Sequence, residues 1–141
     1  MRRVLDSCVG FKWHLAEVDS DKALRIRDDF LKGVVELLAP DIFSIEFAHA
    51  LTRAERQGRI TPIDGALHLQ DMLAILPDMH PHLPLLPRAY EISSNARIGV
   101  YDCLYVALAE REQCELITSD EKLVRVLQKD FPFITALASL P

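Results

Sequence analysis

Apolar and polar positions along the chain switch between two periods, and each switch marks an element. "RRVLD" at the start reads as a short strand, and "SCVGFKWHLAE" directly after it opens a helix. Between residues 20 and 36, Leu24, Arg27 and Leu31 recur at helical spacing behind Ser20 or Asp19 as a cap, and "VELLAP" follows as a second strand. In "SIEFAHALTRAERQG", Phe47, Ala48, Leu51 and Ala54 fall on one helical face and Gly58 stops the run. "TPIDGALHLQDMLAIL" begins with Thr61 as N-cap, Pro62 in the first helical position and Asp64 as the reciprocal acid, the clearest helix start in the chain. "HPHLPLLP" is too rich in proline for a central strand and reads as a short edge strand or an extended loop. "RAYEISSNARIG" and "YDCLYVALAEREQ" are helices separated by Gly99, while "CELIT" and "FITAL" are strands flanking the helix "DEKLVRVLQKDF".

Strands that alternate with helices imply a parallel sheet joined by right-handed crossovers. The expected fold is a three-layer α/β/α sandwich around a central, mostly parallel sheet of four to five strands. With 141 residues and no internal repeat or long linker, the chain is expected to form a single domain over residues 1–141. In such sheets ligands gather at the carboxyl ends of the strands.

Composition narrows the class. Half of the residues are hydrophobic, yet no apolar stretch approaches the roughly 18 residues of a membrane span. The two opening arginines are soon followed by Asp6 and Lys12, which leaves no apolar core for a secretory signal. A soluble, cytoplasmic protein without membrane contact is expected. Cys8, Cys103 and Cys114 are odd in number and form no CxxC pair, so they read as small buried residues in a reducing compartment. The net charge of −5 argues against broad electrostatic capture of nucleic acid, but it leaves room for a local site where a metal ion reverses the sign.

The acids near strand ends are the candidate chemistry. Asp6 follows the first strand and Asp120 follows "CELIT", so both would project from the edge where an α/β sheet places its site. Each, taken alone, is equally an N-cap or first-turn acid. Asp102 is harder to explain as a cap, because it is the only charged residue from Tyr101 to Ala109 on a helix that is apolar around nearly its whole circumference. Burying an unpaired carboxylate there costs several kcal/mol or forces it to protonate. Glu46 lies in the first turns of its helix, beside the apolar face.

"VLDSCVGFKW", the Glu of "APDIFSIEFAHAL", "YDCLYVALAE" and "LITSDEKL" stand in the order and spacing of PIN domains, and the whole chain looks most like the VapC toxin ribonucleases. Cys103 stands where these proteins often carry alanine, a small-for-small difference. The resemblance implies an acidic quartet of Asp6, Glu46, Asp102 and Asp120, with Thr118 and Ser119 as the hydroxyl residues before the last acid. It further implies Mg²⁺ or Mn²⁺ as cofactor and cleavage of single-stranded RNA to a 5′-phosphate and a 3′-hydroxyl. A homodimer and a small inhibitory antitoxin are the implied partners. Asp6, Asp102 and Asp120 would be the nearest metal ligands, and Glu46 a ligand through water or a water-orienting base. Thr118 would position Asp120 or a metal-bound water. The residue types suit this chemistry, since both ions take hard oxygen ligands from a few carboxylates and several waters.

Other features of the chain admit two readings each. Lys12, Arg53, Arg56, Arg97, Lys122 and Arg125 are either phosphate contacts or solvated surface charge. Trp13 is either a base-stacking platform or a core or dimer contact, and the second reading is preferred. The helices at 44–58 and 61–76 are candidate dimer or antitoxin surfaces, or simply core. "EFAH" has Glu-x-x-His spacing, but a di-iron bundle needs a second copy. "HPH" offers two imidazoles without a third ligand nearby in sequence. The competing function is a non-catalytic PIN-like or receiver-like module that binds protein or RNA. Asp6 has no adjacent acid, as a receiver would need, and no member of the quartet is missing.

Overall fold

A computed structural model describes residues 1–141. Strands β1 (Arg2–Leu5), β2 (Glu36–Pro40), β3 (Asp78–His80), β4 (Glu115–Thr118) and β5 (Ile134–Ala136) form one sheet in the order β3-β2-β1-β4-β5. All four neighbouring pairs are parallel. The central strands are apolar runs rather than alternations: Val4, Leu5, Leu37, Leu38, Ala39, Leu116 and Ile117 are all buried, as covering both faces of the sheet requires.

Helices α1 (Ser7–Phe11), α2 (Ser20–Leu31), α3 (Phe43–Arg56), α4 (Pro62–Ala74), α5 (Leu86–Ala96), α6 (Val100–Glu112) and α7 (Glu121–Leu127) complete the three-layer α/β/α sandwich. Helix α6 packs on β1, β2 and β4 as well as on α5, and every residue from Cys103 to Ala109 is buried. An apolar circumference therefore marks a helix enclosed on all sides. Helix α1 rests on α3 with no space to spare, since a Cβ at Gly10 would come within 2.9 Å of Phe43 Cζ. At α4 the capping box forms as expected, with the Asp64 amide donating to Thr61 Oγ1 at 3.1 Å and Pro62 in the first turn. No helix is long and apolar enough to cross a membrane.

Several expectations need correction. The helix after β1 stops at Phe11, well short of Glu17, and α2 stops at Leu31, before a turn through Gly33 at φ 75°. Of "HPHLPLLP" only His80 is in a strand; the rest becomes a 3₁₀ turn (Leu83–Leu85) that runs into α5. Its prolines 84 and 87 sit in first turns, where a missing N–H forfeits no intrahelical bond. Trp13 is 5% exposed and stacks on Phe30 at 6.4 Å, which places it in the core and away from any base. All three cysteines are free thiols.

Candidate active site

The strand order reverses direction between β1 and β4: from β1 the chain builds outward through β2 and β3, then returns to place β4 on the other side of β1. A crevice forms at the carboxyl ends of strands at such a switch point. Asp6 leaves β1 there, and its amide donates to the Ile117 carbonyl at 3.1 Å, extending the β1–β4 pairing by one residue. Thr118 and Asp120 leave β4 at the same edge, Asp102 lies in the first turn of α6, and Glu46 lies in the first turn of α3.

Capping accounts for only one of the four acids. Asp120 is the N-cap of α7, where its Oδ1 accepts from the amides of Lys122 and Leu123 at 2.9 and 3.1 Å. Asp6 occupies the N-cap position of α1, yet its side chain caps nothing. Instead its Oδ2 accepts from Thr118 Oγ1 at 2.8 Å, and Thr118 Oγ1 in turn accepts from the Asp120 amide at 3.0 Å. One buried hydroxyl thus fixes both the side chain of Asp6 and the backbone of Asp120, whereas the sequence suggested only the second contact. Because the Thr118 proton is committed to Asp6, the Cys8 thiol, 3.7 Å from Thr118 Oγ1, is the donor in that contact. Burial and the charge of Asp6 push the thiol upward, which keeps the proton on sulfur. The Ser119 amide donates to Cys8 Sγ at 3.4 Å.

Glu46 is held by two hydroxyls that sequence reasoning missed. Tyr105 OH donates to its Oε1 at 2.6 Å and Ser7 Oγ donates to the same atom at 3.2 Å. Tyr105 is fully buried in α6, one helical turn after Asp102, so the i,i+3 spacing was the available signal. Burial and the charges of Asp6 and Glu46 hold the phenol above its ordinary range, so it remains a donor. Tyr105→Phe should leave the fold in place but release Glu46, lowering the rate of the RNA cleavage that the resemblance implies by about 10- to 100-fold. Steady-state rates beside a thermal melt check this; an unchanged rate would remove Tyr105 from the site.

The four acids are electrostatic neighbours without enough positive charge. Burial, followed by the charges of Asp102 and Glu46, raises Asp6 from 3.8 to about 7 despite the Thr118 hydrogen bond. Burial, Asp120 and Glu46 raise Asp102 to about 6, opposed by Lys122. Burial also raises Glu46, against the hydrogen bonds from Tyr105 and Ser7. Protein donors claim Asp6 Oδ2, Glu46 Oε1 and Asp120 Oδ1, which leaves Asp6 Oδ1, Glu46 Oε2, Asp120 Oδ2 and both oxygens of Asp102 unclaimed. A set of carboxylates, each with a free oxygen and two of them, Asp6 and Asp102, raised by burial and by neighbouring acids, suits a hard dication. No three of them draw their ligand atoms within 4.8 Å of one another; the trio that does is His14, His68 and Asp71, with His14 edge-on to Phe47 of α3. The wider spacing accords with mutual repulsion among the acids, and with an ion of the Mg²⁺ type that keeps several waters and takes only one or two carboxylates directly.

A cleft of about 380 Å³ adjoins Asp120, lined by Thr118, Ser119, Lys12 and Arg125 and by the acids Asp19 and Glu121. Lys122 lies close enough to bear on Asp102. The other basic candidates sit elsewhere: Arg53 lines a separate depression with His49 and Arg59, and Arg97 ends α5 in the left-handed region at φ 56°. The two imidazoles of "HPH" are taken up by Asp78 and Asp41, and His49, the partner in "EFAH", is exposed.

Comparison with known proteins places this arrangement in a family. A model of the PIN domain matches residues 3–128. Ribonuclease VapC9 of Mycobacterium tuberculosis is 33% identical over 96 residues, covering 68% of this chain and 74% of that protein. Ribonuclease VapC3 of Pyrobaculum aerophilum is 26% identical over 125 residues, covering 87% and 92%. Among solved structures, PAE2754 from Pyrobaculum aerophilum aligns with a TM-score of 0.72 at 18% identity, over 99% of this chain and 85% of that one. VapBC2 from Rickettsia felis, bound to a DNA fragment from their promoter, aligns with a TM-score of 0.65 at 15% identity, over 96% and 97%. With its five-stranded parallel sheet and a family match across most of its length, the chain belongs to the PIN domain family and, within it, to the VapC ribonucleases.

Proposed function

We propose that this protein is a Mg²⁺- or Mn²⁺-dependent endoribonuclease that hydrolyses single-stranded RNA, acting as the toxin of a toxin–antitoxin pair in the cytoplasm. The single observation that carries the reading is the quartet itself: four acids at one switch point, three of them held by protein donors on one oxygen and free on the other. Asp6, Asp102 and Asp120 would hold the cation, with Glu46 alongside. When bound, such an ion supplies a Lewis acid that lowers the pKa of water and stabilises charge on a phosphodiester.

The chain's own residues supply positioning. Thr118 locks the β1 and β4 acids into one unit. Tyr105 and Ser7 aim Glu46 so that its Oε2 is open to orient a water or take its proton. Arg125 beside Asp120 offers positive charge for a backbone phosphate, and Lys12, paired with Glu17 at 3.4 Å, lines the same cleft. The VapC relatives support RNA as substrate, and the VapBC2 neighbour supports a small antitoxin as partner. The reading includes a homodimer and a single catalytic domain spanning residues 1–141.

Incubating the purified protein with labelled single-stranded RNAs tests this reading. Cleavage is expected with Mg²⁺ or Mn²⁺, none with EDTA, and the new ends should be 5′-phosphate and 3′-hydroxyl. Metal-independent cleavage would remove a cation at the quartet from the reaction, and binding without cleavage across the panel would favour the interaction module instead.

A further inference from the structure

We propose that His14, His68 and Asp71 form a second metal site, separate from the acidic quartet, that takes a borderline transition-metal dication such as Zn²⁺ or Co²⁺ and fastens the segment after α1 to α4. Each of the three offers a ligand atom, and these atoms all lie within 4.8 Å of one another. His68 and Asp71 stand at i and i+3 on α4, the spacing that puts both on one helical face, and His14 arrives from the segment after α1. The rings of His14 and His68 meet edge-on at 5.4 Å.

A second observation points the same way. His14 Nε2 is sealed from solvent and has no hydrogen-bond partner. A buried polar atom left unpaired is uncommon in a folded protein, and an ion held by this ring would supply the missing partner. Two imidazoles and a carboxylate are the donor set of open zinc sites. Nitrogen donors favour Zn²⁺, Co²⁺ or Ni²⁺ over the ions suited to the all-oxygen quartet, so the two sites would sort metals by chemistry.

Two features oppose binding and both are met locally. Around a tetrahedral ion with bonds of about 2.1 Å, neighbouring ligand atoms stand about 3.4 Å apart, so the trio must close by roughly 1 Å. Asp71 is exposed and His68 half-buried, which leaves their side chains room to do so. Arg59 lines the adjoining depression with His68, but its charge is already paired with Glu17 at 3.0 Å, and Asp71 offsets the charge of Arg27 near His14.

Cobalt titration followed by visible absorption tests the site, because nitrogen-bound four-coordinate Co²⁺ absorbs far more strongly than six-coordinate Co²⁺ held by oxygens alone. The band is expected in wild type and in Asp6→Asn, displaced by Zn²⁺, with affinity falling roughly tenfold or more in His68→Ala and in Asp71→Asn. These last two change only partly exposed or exposed positions and should fold. No band in wild type, equal affinity in His68→Ala, or a band lost in Asp6→Asn but kept in His68→Ala would each overturn the site, the last by placing the ion in the quartet.

Discussion

Asp6→Asn is expected to raise the melting temperature of the metal-free protein at pH 8 by roughly 10–15 °C. Asp6 is 5% exposed, and its carboxyl is raised by burial first and by Asp102 and Glu46 next. Below about pH 4 the carboxyl is protonated in folded and unfolded chains alike, and the site costs nothing. As pH rises from 4 through 7, the unfolded chain releases this proton first, so stability falls across that window. The rise from 3.8 to about 7, at about 1.4 kcal/mol per unit, makes the loss on the order of 4 kcal/mol once pH exceeds 7. Asparagine keeps the acceptor for Thr118 but carries no charge, so melts in EDTA should show wild type falling more steeply between pH 4 and 8 than Asp6→Asn, whose remaining slope comes from the raised carboxyls of Asp102 and Glu46. Parallel curves for the two proteins would mean that Asp6 is not held at a cost.

Asp102→Asn is expected to lower the cleavage rate by about 10²- to 10³-fold, the scale seen when one preorganised electrostatic partner is removed. No protein group hydrogen-bonds Asp102, so neither of its oxygens has a structural task, and the exchange should leave the melt unharmed. The same titrations predict the dependence on acidity. Protons compete with a cation at Asp6 near 7 and at Asp102 near 6, so the Mn²⁺ needed for half-maximal cleavage should rise by about tenfold or more from pH 7.5 to pH 5.5. A flat metal requirement across that range would separate the titrating acids from the metal.

The layers and the sheet were legible because the buried parts of the central strands, Val4–Leu5, Leu37–Ala39 and Leu116–Ile117, are consecutive apolar residues and each connection carries helical spacing, a combination that few folds other than a parallel α/β sheet accommodate. Asp102 was legible for a related reason: one charge on an otherwise apolar helix must be explained by something outside the helix. What the sequence concealed were contacts between residues far apart in the chain. Thr118 reaches Asp6 only because β1 and β4 are neighbours in the sheet, and Ser7 reaches Glu46 only because α1 lies on α3. The helix end at Phe11 was missed because apolar residues continue through Trp13 and Leu15 with no breaker, and the start at Leu86 because proline in a first turn and proline in a loop look alike without the third dimension. His14, His68 and Asp71 carry no signal along the chain, since their spacing matches no metal motif.

The most direct test of the acidic quartet as a ribonuclease centre is the initial rate at which Asp6→Asn cleaves single-stranded RNA in saturating Mn²⁺, measured on protein that melts at or above the wild-type temperature. The expected rate is lower than wild type by about 100-fold or more. A stably folded Asp6→Asn that cuts at the wild-type rate would contradict the assignment.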